Sequence, residues 1–240
     1  MKMPIVVANW KMYLNVPESV ALAQKLVRAP RLPVTVVVCP SAISISAVAD
    51  ILRGSATSLG AQLVNTAVRG AHTGGVSAAD YASLGATYAI VGHSEVRRRE
   101  GTDVHALREQ CLTALANGLT PILCIGETLE QHNEASSILR EQYTQVVGSG
   151  LPGSFLVAYE PLWAISATSG AHPLLIEDVA ESSALLRSFI DDAVPVLYGG
   201  SVDQTNAAGF IGAHGFDGVL VGAASTEAVS FQNIIAQVAR

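Results

Sequence analysis

Phe155-Leu-Val-Ala-Tyr-Glu160-Pro-Leu-Trp-Ala-Ile165 is an apolar run that stops abruptly on a carboxylate. Without polar alternation, such a run reads as a short strand buried on both faces, as in a parallel sheet covered by helices. Seven similar runs occur: Ile5 to Ala8, Val34 to Val38, Ser58 to Gln62, Tyr88 to Val91, Pro121 to Ile125, Val194 to Leu197 and Gly218 to Val221. The stretches between them carry helical spacing. Leu22, Leu26 and Val27 make one apolar face, and Ala106, Leu107, Cys111 and Leu115 make another. Ala184, Leu185 and Ile190, then Ile234, Ile235 and Val238, continue the pattern. Alternating strand and helix signals call for an α/β fold. Eight strands in 240 residues leave about 30 residues for each βα unit, the size that closes a (β/α)₈ barrel of eight parallel strands ringed by helices. A doubly wound open sheet is the alternative. It predicts a glycine-rich turn after the first strand, where the chain instead reads Asn9-Trp10-Lys11-Met12. No composition break or low-complexity segment divides residues 1–240, so a single catalytic domain is expected.

Composition narrows the function classes. A formal net charge of −6 argues against nucleic acid and against a polybasic membrane surface. An anionic ligand must then be held by a local positive field. Cys39, Cys111 and Cys124 are far apart and have neither metal nor redox spacing, which fits structural thiols in a reducing compartment. The apolar start Ile5 to Ala8 breaks at Asn9, Trp10 and Lys11, too early for a signal peptide, and no segment has the length and apolarity of a membrane span. A cytoplasmic protein is expected.

In a parallel barrel, chemistry gathers at the C-terminal ends of the strands. The useful residues are therefore the polar ones that end apolar runs. The first run ends in Asn9 and Lys11, the fourth in His93, Ser94 and Glu95, the fifth in Gly126 and Glu127, and the sixth in Glu160. The seventh ends in Gly199, Gly200 and Ser201, and the eighth in Gly222. A partly desolvated carboxylate is a stronger base when ionised, so Glu160 is a candidate proton acceptor. The competing reading is a strand-end acid paired with a structural Lys or Arg. His93 precedes Ser-Glu-Val-Arg-Arg, which reads as the start of a helix. The positive end of a helix disfavours an imidazolium, so His93 is a candidate neutral donor, or else a barrel-top histidine satisfied by backbone. Lys11 supplies a positive charge beside the first strand, with Asn9 as a neutral donor. The remaining histidines, His72, His105, His132, His172 and His214, show no metal spacing and read as surface or packing residues. Tyr198-Gly-Gly-Ser-Val and Val221-Gly-Ala-Ala-Ser follow the seventh and eighth strands, where barrels often bind phosphate through loop amides.

Seven motifs together resemble the triosephosphate isomerase family over essentially the whole chain. They are Ala8-Asn-Trp-Lys, the Gly-Ala-His-Thr-Gly of 70–74, Val91-Gly-His-Ser-Glu, Cys124-Ile-Gly-Glu-Thr, Ala158-Tyr-Glu-Pro-Leu-Trp-Ala-Ile, Leu197-Tyr-Gly-Gly-Ser-Val and Leu220-Val-Gly-Ala-Ala-Ser. The resemblance implies interconversion of dihydroxyacetone phosphate and glyceraldehyde 3-phosphate through an enediolate. It implies Glu160 as the base, and His93 as the group that polarises the carbonyl. Lys11 and Asn9 would stabilise the developing charge, with Glu95 orienting Lys11. It further implies phosphate held by amides of Ser166, Ser201, Gly222 and Ala223 beside Gly199 and Gly200. Ile165 and Leu220 would form an apolar clamp over Glu160. No metal or organic cofactor is expected, and a homodimer is.

The chain departs from the family in its lid, where Ser166-Ala-Thr-Ser-Gly170 replaces a Gly-Thr-Gly-Lys pattern and removes two flexible positions. Turnover limited by lid closure is the expectation. Ala223 stands where the family has a second glycine. Gly75 and Val96 replace an acid and an arginine that pair between subunits in the family, and losing both together leaves no unpaired buried charge. A dimer with an altered interface is expected. Leu63 also replaces an asparagine after Gln62. An isomerase of another short ketose phosphate, such as an erythrulose phosphate, would use the same Glu160 and His93. A sugar-phosphate-binding barrel without turnover is the rival of another class, and Asn9, Lys11, His93 and Glu160 argue against it because binding alone needs neither a base nor an electrophile.

Overall fold

The structure is a computed structural model that describes residues 3–165, 176–212 and 215–240. The expected eight strands are present: β1 (Ile5–Asn9), β2 (Thr35–Cys39), β3 (Thr57–Ala61), β4 (Ala86–Val91), β5 (Thr120–Ile125), β6 (Leu156–Tyr159), β7 (Val196–Tyr198) and β8 (Gly218–Val221). Each pairs in parallel with the next, and β1 pairs with β8 to close the barrel. The helices are α1 (Val16–Val27), α2 (Ile45–Leu52), α3 (Ala78–Ser83), α4 (Ser94–Glu100), α5 (Val104–Ala116), α6 (Ala135–Val147), α7 (Ile176–Arg187) and α8 (Ala228–Val238). α4 and α5 both follow β4. Among the described residues no helix is long and apolar enough to cross a membrane.

Local sequence explains why the elements start and stop. Asn15 caps α1: its side chain accepts the Glu18 N–H at 2.9 Å, and Glu18 reaches back to the Asn15 N–H at 2.9 Å. Leu22, Ala23 and Leu26 then recur on one face and are buried against the barrel. In α7 the buried face differs from the expected one. Val179, Ser183 and Leu186 point inward, Ala184 is exposed and Leu185 is only half-buried. The helix starts at Ile176, and a period of 3.6 carries the inward face through 179, 183 and 186.

Strand alternation then aims the site. Val7, Val37, Ile90, Ile122, Cys124, Leu156, Ala158, Leu197 and Leu220 fill the barrel interior, while Val6, Ala8, Val157, Tyr159 and Val219 pack outward under the helices. Two residues on from an inward residue lies another inward position. That step takes Val7 to Asn9, Ala158 to Glu160, Leu197 to Gly199 and Leu220 to Gly222. One end of the barrel axis therefore receives all four.

Candidate active site

Asn9, Lys11, His93, Glu160, Ile165, Gly199, Leu220 and Gly222 line one cleft at the C-terminal mouth of the barrel. Glu160 is almost fully buried and lies 3.2 Å, Oε1 to Nε2, from His93. Its Oε2 accepts the Ser94 N–H at 2.7 Å. His93 caps α4 and its Nδ1 accepts the Glu95 N–H at 3.2 Å. A ring nitrogen that accepts carries no proton, so the proton of this neutral imidazole is on Nε2, facing the carboxylate. A carboxylate that accepts and a ring N–H that donates thus meet across a gap where a small ligand would be inserted.

The positive charge comes from Lys11, whose Nζ lies 2.8 Å from Glu95 Oε1. Burial pushes the Glu95 carboxyl up, but the Lys11 hydrogen bond and charge, helped by Arg98, outweigh it and hold the group below the usual carboxylate range. Lys11 has φ of 47°, the left-handed region, and no other described non-glycine residue has positive φ. Its backbone is held on both sides: its N–H donates to Asn9 Oδ1 at 3.1 Å, and its carbonyl accepts from Gln62 Nε2 at 2.9 Å. The same Gln62 nitrogen reaches Cys39 O at 2.9 Å, tying the ends of β1, β2 and β3 together. Sequence alone gives Gln62 no role; the signal was a polar residue closing an apolar strand.

The glycines are shaped by their neighbours. A Cβ on Gly199 would lie 3.0 Å from Glu160 Cγ, and one on Gly222 would lie 3.5 Å from Lys11 Nζ. A side chain on Gly200 would collide with the Tyr198 ring. Gly222 leads into a short 3₁₀ turn, Ala223–Thr226, so the Ala223 amide sits at the edge of the mouth. Ser201 turns toward Ala164: its N–H and Oγ both donate to the Ala164 carbonyl, at 3.2 and 2.6 Å. Ser166 and the rest of the expected lid lie outside the described residues, as do His172 and His214.

Glu127, the other acid at a strand end, faces away from the cleft. It is fully buried on the helix side, where its Oε1 accepts Tyr159 Oη at 2.9 Å and Trp163 Nε1 at 2.8 Å. His132 Nδ1 lies 3.4 Å from the same oxygen, and its ring meets Trp163 edge-on at 4.9 Å. His132 is thus a packing residue with a definite partner. The alternation that sends Cys124 inward sends Glu127 outward. Larger cavities exist, such as one of about 680 Å³ between α6 and α7 and one of about 400 Å³ beside α1 and α8, but neither holds a base facing a hydrogen-bond donor in this way. Among the described residues no cluster of His, Cys, Asp and Glu is suited to a metal.

A parallel eight-stranded barrel with a buried carboxylate, a neutral imidazole and a lysine converging at the C-terminal mouth defines an acid–base barrel enzyme. The family model described as "Triosephosphate isomerase" matches residues 4–238. The chain is 39% identical over 244 residues to the triosephosphate isomerase of Gluconacetobacter diazotrophicus, covering 96% of both chains. It is 38% identical over 258 residues to that of Symbiobacterium thermophilum, covering 100% of this chain and 98% of the relative. It is 39% identical over 238 residues to that of Treponema pallidum, covering 94% and 95%. The chain belongs to the triosephosphate isomerase family.

Proposed function

We propose that residues 1–240 form one catalytic domain that interconverts dihydroxyacetone phosphate and D-glyceraldehyde 3-phosphate by moving a proton between neighbouring carbons. The observation that carries this reading is the 3.2 Å approach of Glu160 Oε1 to the protonated nitrogen of His93. With substrate between them, Glu160 removes the proton beside the carbonyl and His93 Nε2–H polarises the carbonyl oxygen. Charge then develops on the enediolate oxygens. The Lys11 ammonium, steadied by Glu95, and the Asn9 side chain stabilise it at fixed positions, at no cost in reorganisation. His93 gives its Nε2 proton to the former carbonyl oxygen and takes one back from the neighbouring hydroxyl, while Glu160 returns the carbon proton to the adjacent carbon. Gly199, Gly200 and Gly222 leave room for a phosphate at the ends of β7 and β8, and the amides of Ser201, Gly222 and Ala223 hold it, joined by Ser166. Ser201 exchanges its Ala164 partner for the phosphate. Ile165 and Leu220 cover Glu160 on its apolar side and keep water from the base.

The resting site is tight, with about 20 Å³ of free space, room for about one water. Glu160 and His93 occupy the space by bonding to each other, and Ser94 holds the carboxylate aside. Substrate therefore enters by separating the pair, which trades the Ser94 hydrogen bond for a position over the reacting carbon.

The partner is a second copy of the chain. Met12 is 93% exposed and Ile43 81%, and with Tyr13 and Val68 they project from the loops that follow β1, β2 and β3, on the same end as the site. Apolar side chains concentrated on one face mark an interface. Gly75 and Val96 make that interface one without the family's ion pair. The three buried free cysteines fit a cytoplasmic setting.

The test is turnover of glyceraldehyde 3-phosphate in a coupled assay, with Glu160→Gln as the control. Loss of the base should lower kcat by about 10²–10⁴-fold. Wild-type-like turnover by Glu160→Gln would remove Glu160 as the base.

A further inference from the structure

β4 leaves the sheet before its neighbour does. At His93 the chain turns into α4, whereas β5 runs on through Ile125 toward Gly126 and Glu127. In a parallel sheet, successive residues direct their N–H and C=O to opposite neighbours. Ile125 O accepts the Glu160 N–H at 2.7 Å and Glu127 O accepts the Leu162 N–H at 2.9 Å, so both face the β6 side. The N–H and C=O of Gly126, between them, face the side that β4 has vacated.

The side-chain amide of Gln142, from α6, fills that gap. Its Oε1 accepts the Gly126 N–H at 2.9 Å and its Nε2 donates to the Gly126 carbonyl at 2.9 Å. It thereby does what a peptide unit of β4 would have done. Its second acceptor lone pair takes Arg97 Nη1 at 3.0 Å, and Arg97 belongs to α4, the helix that drew β4 away. The Arg97 N–H in turn donates to the His93 carbonyl at 3.0 Å. On the other side Gly126 lies directly against the Glu160 main chain, where a Cβ would stand 2.6 Å from the carbonyl carbon. One half-buried side-chain amide thus links the segment that carries His93 to the segment that carries Glu160.

We propose that Gln142 is a positioning residue that sets the His93–Glu160 geometry through the end of β5. The proposal rests on reading that pair as the acid–base machinery. Misplacing a reacting group by about 1 Å costs about 10²-fold in rate, so a shift of a few tenths of an ångström should cost about tenfold.

The test compares Gln142→Met, which removes both bonds to Gly126, with Gln142→Glu, which keeps the acceptor and the Arg97 contact and loses only the donor. The control is Val238→Ala, a core truncation on α8, remote from α4 and α6. Steady-state kinetics are measured together with the NMR signals of the His93 ring in the free enzyme. The expected result for Gln142→Met is a fall in kcat of about tenfold with KM within about twofold, and a displaced His93 Nε2–H resonance. Gln142→Glu should show a smaller loss and a smaller displacement, and Val238→Ala neither. An unchanged kcat and resonance in Gln142→Met overturns the proposal. So does an equal loss in Val238→Ala, or an effect confined to KM. If Gln142→Met does not fold, Gln142→Glu decides by the same criteria. A wild-type chain without isomerase activity would refute the functional reading, while the His93 resonance would still judge Gln142 separately.

Discussion

Replacing Gly126 with alanine is expected to damage catalysis far more than its single methyl suggests. The new Cβ would stand 2.6 Å from the carbonyl carbon of Glu160 and closer still to its oxygen, whereas real Cβ contacts essentially never fall below 3.0 Å. The obstacle is backbone, so no rotamer change relieves it. The end of β6 must withdraw by on the order of 1 Å, carrying the base with it, and such a misplacement costs about 10²-fold in kcat. That corresponds to about 2.7 kcal/mol of barrier. Overpacking a tight interior adds about 1–3 kcal/mol of destabilisation, a fall in Tm of about 2–4 °C for each kcal/mol in a chain of this size. Gly153→Ala is the matched control. Its Cβ would meet Leu115 Cδ2 at 2.9 Å, the far end of a side chain that can turn aside. The assay is steady-state isomerisation with thermal unfolding on both variants. If Gly126→Ala loses stability yet keeps kcat within about threefold of wild type, the end of β5 does not control where Glu160 sits.

Three further outcomes follow from the same geometry. Glu95→Gln should change the acid side of the stability profile. The Glu95 carboxyl is held below its ordinary value of about 4.3 by Lys11 despite its burial, so its contribution is present above that value and is lost as pH falls through the depressed one. Melting curves should therefore show a gap between wild type and variant that is steady from about pH 5 to 7 and closes below about pH 4; a gap that does not close would contradict the pairing. Tyr159→Phe removes a donor to the buried Glu127 carboxylate and should cost about 1.5–3 kcal/mol in urea unfolding. In a Glu127→Gln background the cost should shrink, and an equal cost in both backgrounds would show that the carboxylate is not what Tyr159 serves. Sedimentation at low concentration should find a dimer that Met12→Asp shifts toward monomer, because Met12 is 93% exposed in the isolated chain. A wild-type monomer would overturn the interface reading.

The ends of the apolar runs made much of the site legible. Position at the C-terminal ends of the strands predicts that Asn9, Glu160, Gly199 and Gly222 gather at one mouth of the barrel, and the cleft contains all four. Helix spacing served less well in α7, because the choice between Ala184 and Val179 as the inward face depends on where the helix begins. Gln142 was not legible at all. A glutamine on an amphipathic helix reads as a solvated residue, and nothing local reveals that β4 ends early and leaves Gly126 without a partner.

The chain itself determined which residues are costly to bury and on which side of a strand each falls, since both follow from side-chain chemistry and a period of two. Those terms are local, and they sufficed for eight strands, a closed barrel and an acid at its mouth. Only the tertiary structure decided what each polar group meets: Glu160 against His93 and Ser94, Glu95 against Lys11, Gln142 against Gly126 and Arg97. Except for Gln142 and Gly126, these partners lie on different βα units, brought together by closure of the barrel, and a polar group withdrawn from water is stable only where such a partner completes its hydrogen bonds.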